Sequence, residues 1–83
     1  MSSVSRSSLP AGNGFAITPN DSTDLQEVTR GLYVGVSGNV VVHLRAMNSP
    51  ITLTSMAAGV VHPLEVRRVL STGTTATGLV GLV

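Results

Sequence analysis

The chain has 83 residues, enough for one small domain, and its lack of cysteine excludes both a disulfide staple and a thiolate metal site. A formal net charge of +1 supplies no basic field, so nucleic acid is not an expected partner. No apolar run approaches the length of a membrane span, so no membrane association is expected.

A chain of this size buries only roughly 60% of its unfolded surface, which leaves a lone monomer marginal. Yet 42% of the residues are hydrophobic, only 11% are charged, and the mean hydropathy is +0.37. Apolar residues beyond the needs of a small core suit an interface, so the composition predicts a homo-oligomer. All five basic residues are arginine (Arg6, Arg30, Arg45, Arg67 and Arg68). Arginine favours bidentate pairing with carboxylates and is enriched at interfaces, although composition bias gives the same pattern.

In chain order, residues 1–14 (MSSVSRSSLPAGNG) lack both periodicity and the apolar segment of a secretory signal. They read as a flexible, serine-rich arm ahead of a single β domain over 15–83. Asn20-Asp21-Ser22 matches a glycosylation sequon, which without a secretory route is expected to be a chance match. Asp21, Asp24 and Glu27 recur every three residues, and Thr23 with Gln26 has the spacing of a capping box, so one helical turn is expected there.

Leu32, Val34 and Val36 alternate with Tyr33 and Gly35, as in a strand with one buried face. Ser37-Gly38-Asn39 carries turn chemistry, and Val40, Val42 and Leu44 then alternate with Val41, His43 and Arg45. Together they predict a hairpin. Asn48, Ser49 and Pro50 mark another turn, and Ile51 to Thr54 form a short strand. MAAG over 56–59 is a connection or one helical turn. Val60 to Leu70 is a longer strand candidate in which Pro63 requires an edge position or a restart at Leu64.

Leu64 and Val66 share a face, but Arg68 then falls on it and Val69 falls on the other. A β-bulge near Arg67-Arg68 accounts for the slip; covering of both faces by neighbouring subunits is the alternative. STGTTATG over 71–78 is a loop, and LVGLV closes the chain as a strand. No stretch sustains a 3.6-residue apolar period. About five to seven short strands favour an all-β fold, a small antiparallel sandwich or barrel.

The chemistry-bearing residues do not assemble into a catalytic pattern. Counted from Asp21 as a calcium loop, the sixth position is Gln26 and the twelfth is Leu32, so the glycine and glutamate that such a loop requires are missing. Gly31, Gly35 and Gly38 lie within and after a strand, not at a helix N-terminus, so they do not cradle phosphate. Gly35 instead suits the close approach of another backbone or of a packed aromatic. His43 and His62 each stand alone and read as surface or interface residues. No G-x-S-x-G elbow is present. Phe15 and Tyr33 are the only aromatics, too few for a stacking platform, and Tyr33 suits core or interface. No enzyme, metal or cofactor is expected.

The run AITPNDSTDLQEVTRGLYVGVSGNVVVHL, followed by VRRVLSTGTTATGLVGL, resembles the head-spike base protein family of gene transfer agents and tailed phages. The phrases concerned span Asp21 to Leu25, Thr29 to Gly35 and Thr72 to Gly78, and the likeness covers roughly residues 16–83. The chain departs from the family pattern at LQEVTR, where a proline-containing turn is expected. The resemblance implies an all-β virion subunit that forms a ring, a pentamer, at capsid five-fold vertices and seats a spike or fibre protein. The major capsid protein and that spike or fibre are then its partners. Its place is the capsid exterior, after a cytoplasmic stage before assembly.

On this expectation Val40, Val42, Leu79 and Val80 pack between subunits. Asp21, Asp24, Arg30, Tyr33, Arg67 and Arg68 are the candidate subunit or capsid contacts. Two other readings are a capsid decoration (cement) protein at another symmetry position, such as a trimer, and a host-glycan-binding module. The scarcity of aromatics speaks against the last.

Overall fold

The three consecutive valines of Gly38–Leu44 are explained by what lies on each side of that strand. Val40 and Val42 are wholly buried, and Val41 and His43 on the opposite face are 8% exposed each. A strand covered on both faces reads as a continuous apolar run instead of an alternating one. In this computed structural model, which describes residues 12–83, the strand is the centre of a three-stranded sheet.

The chain forms seven strands: β1 (Gly14–Ala16), β2 (Gly31–Tyr33), β3 (Gly38–Leu44), β4 (Ile51–Met56), β5 (Val61–His62), β6 (Val66–Leu70) and β7 (Val80–Leu82). They make two antiparallel sheets, ordered β1-β7-β2-β5 and β4-β3-β6, and no described residue is helical. The expected all-β class stands. Between the sheets lies one core, in which Leu32, Val34, Val40, Val42, Val66 and Val69 are at most 1% exposed. Much of the expected serine-rich arm, residues 1–11, lies outside the described residues. Gly12 and Asn13 donate to the Val83 carbonyl, and Gly14 begins β1.

The bulge expected in the double-arginine strand is present. His43 pairs with Arg68 and Leu44 with Val66, which leaves Arg67 as the extra residue. A second register shift sits in β4, between the Gly38–Met56 and Val40–Leu53 pairs. There Ser55 adopts φ 53°, and its N–H donates to Asn39 Oδ1 at 3.0 Å.

Three expectations are corrected. β2 and β3 do not form a hairpin; they lie in different sheets. The reason is Gly35, whose N–H donates to the Gly78 carbonyl at 3.0 Å, with the Val36–Thr77 bridge beside it. A Cβ on Gly35 would sit 3.0 Å from that same oxygen, so the bare backbone permits the crossing, as expected for close approach. Val60 to Leu70 is not one strand either. Pro63, with no N–H to donate, follows β5 at a sheet edge, and the chain passes to the other sheet before β6. Finally, Val40, Val42 and Leu79 are interior residues of the subunit, so they do not pack between subunits.

Candidate functional site

The acidic stretch that precedes β2 forms no helical turn and no capping box. It runs instead along β6, the outer strand of the three-stranded sheet. Asn20, Leu25 and Thr29 donate their N–H groups to the carbonyls of Val69, Arg67 and Val66, at 2.8, 2.9 and 3.1 Å. An exposed strand edge is a template for unwanted pairing, and this segment covers it. Asn20 starts the cover because its Oδ1 accepts from Ser22 N, Ser22 Oγ and Thr23 N, which fixes the local turn.

Two carboxylates then tie the cover down. Asp21 accepts from the N–H groups of Ser71 and Thr72, at 2.8 and 2.9 Å, and from Thr72 Oγ1 at 2.6 Å. The Thr72 hydroxyl, seconded by the backbone donors, holds the Asp21 carboxyl below its ordinary value. Asp24 meets two guanidinium groups. Arg68 Nε donates at 2.7 Å to Oδ1, and Arg67 Nη1 lies 3.2 and 3.1 Å from the two oxygens. Those bonds, Arg68's foremost, lower the Asp24 carboxyl too.

Consecutive residues of a regular strand point to opposite faces, yet Arg67 and Arg68 reach the same carboxylate. The bulge at Arg67 permits this, because it breaks the alternation at that one residue. Arg67 also donates through Nη2 to His43 Nδ1 at 3.0 Å and to the Met47 carbonyl at 2.6 Å. A guanidinium carries only donors, so the ring nitrogen of His43 is the acceptor. His43 is therefore a buried partner of Arg67, and the expected surface position is corrected.

Four of the six candidate residues, Asp21, Asp24, Arg67 and Arg68, thus come together along β6. Arg30 lies elsewhere, in a surface groove of about 240 Å³ shared with Glu27, Arg45 and Glu65. Within it Arg45 Nε and Glu65 Oε2 are 2.6 Å apart. Tyr33 is half-buried, on the sheet that contains β2. His62, the other lone histidine, donates to the Ala57 carbonyl at 3.0 Å.

Sequence reasoning missed Thr29, Asn39 and the role of His43. Thr29 is 2% exposed; its hydroxyl donates to the Leu64 carbonyl and accepts from Val66 N–H. Asn39 binds the threonine loop through its backbone and the Ser55 bulge through its side chain. Thr29 opens the phrase that runs to Gly35, but a threonine ahead of a strand carries no signal of buried hydrogen bonding. Among the described residues no cluster of three or more histidine, aspartate or glutamate side chains is placed to hold a metal. The side chains of Asp21, Asp24, Arg67 and Arg68 are each bonded to neighbours within the subunit, an arrangement that fixes the course of the cover.

No protein-family model matches the chain, and no curated protein matches it. Among solved structures it is similar to a chain of the capsid of a native gene transfer agent (GTA) particle, computed with C5 symmetry. The two are 41% identical with a TM-score of 0.82, over 98% of this chain and 92% of that one.

Proposed function

Because the chain belongs to the family of this gene transfer agent capsid protein, and is on that ground a virion structural protein, we propose that it forms the base of a head spike. In this reading a ring of five copies sits at each five-fold vertex on the capsid exterior, over the major capsid protein, and seats a spike or fibre protein. The observation that carries it is the likeness, at 41% identity, to a chain from a capsid computed with C5 symmetry. A ring closes through one heterologous contact repeated around the axis.

The fold supports a mechanical role. The β6 edge is covered from within, by a segment pinned at Asp21 and Asp24, so that edge stays closed to stray strand pairing. Arg67 and Arg68 serve assembly by keeping this cover in place. Arg30 and Tyr33, outside that network, are the contact residues toward a neighbouring subunit or the capsid.

Reconstruction of purified particles without imposed vertex symmetry tests the proposal. Density for five copies of this chain around each five-fold axis is the expected result. Density at three-fold positions would instead make the chain a cement protein, and density inside the shell would overturn an exterior base altogether.

A further inference from the structure

The described charges are confined to one side of the chain's organisation. Asp21, Asp24, Glu27, Arg30, Arg45, Glu65, Arg67 and Arg68 belong to the β6 cover, to β6 itself or to the groove at its end. Residues 12–20, 31–44, 46–64 and 69–83 contain no aspartate, glutamate, lysine or arginine. Two surfaces fall wholly within these charge-free stretches.

The first is the outer face of the four-stranded sheet. Ala16 pairs with Val80, Val80 with Tyr33 and Tyr33 with Val61, which aligns four residues across all four strands. Directly opposed residues of a sheet share a face. The adjacent row, in which Gly81 pairs with wholly buried Leu32 on one side and Phe15 on the other, faces the core, so the Ala16–Val61 row faces out. Tyr33 and Val80 are half-buried, and Val61 at its end is 50% exposed. The second surface is β4, which ends the other sheet. Unlike β6, it has no backbone cover among the described residues, and Ile51 and Thr52 are exposed.

We propose that these two surfaces are the two halves of one contact between copies of this chain: the Ala16–Val80–Tyr33–Val61 face of one subunit packs against the β4 edge of the next. This rests on the ring reading above and names the surfaces that close the ring. A heterologous contact needs two different, mutually complementary patches on one chain, and here both are apolar or hydroxyl-bearing and uncharged. A charged partner on this face would have to bury its charges unpaired, which the chain's own β4 edge does not. A subunit this small, without a disulfide, also gains most from covering such a face.

The full-length chain tests this by sedimentation and by cross-linking, the latter clean because it has no cysteine of its own. Val61→Arg places a charge on an already half-exposed position, so the expected result is a folded chain of monomer mass, where the unaltered chain is an oligomer. Val28→Arg, at a 38% exposed position on the β6 cover, leaves the oligomer intact. Chains carrying Val61→Cys and Thr52→Cys, mixed and oxidised, link to each other, and neither links to itself. This second arm decides the matter if Val61→Arg fails to fold.

An oligomeric Val61→Arg chain with native circular dichroism overturns the proposal while leaving the ring reading untouched. Self-linking of Val61→Cys overturns it by showing a face-to-face pair. A Val61→Arg chain that assembles with itself and loses only capsid or fibre binding assigns the face to that other partner. An unaltered chain that stays monomeric throughout overturns the ring reading and this contact together.

Discussion

Arg67 and Asp24 stand 43 positions apart and are joined by one nitrogen, Nη1 of the arginine, at 3.2 and 3.1 Å from the two carboxylate oxygens. The same guanidinium reaches His43 on β3 and the Met47 carbonyl in the turn beyond it. One side chain therefore holds the β6 cover, the central strand and the following turn in register. Exposed ion pairs contribute little, and the Asp24 side chain is 42% exposed, so the larger share of the effect lies with the less exposed acceptors, His43 and the Met47 carbonyl.

Arg67→Ala leaves the His43 ring nitrogen without its donor inside the protein, and it is expected to lower stability by about 1–3 kcal/mol. Arg67→Lys keeps the charge but cannot span three acceptors with a compact ammonium, so it recovers only part of the loss. Denaturant unfolding of the two variants checks this. A lysine variant as stable as the native chain would show that charge alone suffices.

The two pinning carboxyls impose an acid dependence. Both Asp21 and Asp24 are lowered from 3.8, the first by the Thr72 hydroxyl and the second by Arg68. A lowered carboxyl contributes stability that is fully present above its unfolded value and lost as pH falls through its folded value. The melting temperature is therefore expected to fall below pH 3.8, with a shallower fall for Asp24→Asn, which has no proton to take up there. Parallel curves for the native chain and the variant would remove Asp24 from this account.

What the sequence disclosed was local, and what it concealed was distant. The slip in alternation around Arg67-Arg68 marks a bulge because each strand residue must choose a face, and that choice is written in neighbouring residues. The β2–β3 hairpin was misjudged because Ser37-Gly38-Asn39 has turn chemistry whichever sheet follows. The deciding contact, Gly35 against Gly78, joins residues with no pattern in common. His43 sits at an alternating position that predicts exposure, and it is buried because Arg67 and the turn after β3 close over it. Four of six candidate residues converge because the bulge turns two arginines onto one aspartate, and the bulge was legible. Thr29, which ties the same cover to Leu64 and Val66, was not, since a threonine before a strand is ordinary.

Thr29 is nevertheless where the cover meets the core. Its hydroxyl donates to the Leu64 carbonyl at 2.8 Å and accepts from Val66 N–H at 3.0 Å, in a position 2% exposed to solvent. Thr29→Val preserves shape and removes both bonds, leaving a carbonyl and an N–H buried without that partner. The expected cost is about 1–3 kcal/mol, together with faster hydrogen exchange at the Val66 amide. Thr29→Ser keeps the hydroxyl and loses one methyl, which packs against Gly81, so it should cost only about 0.8 kcal/mol. If serine proves the more damaging of the two, packing at Gly81 outweighs the hydrogen bonds, and the cover is held by shape where we assign it to the hydroxyl.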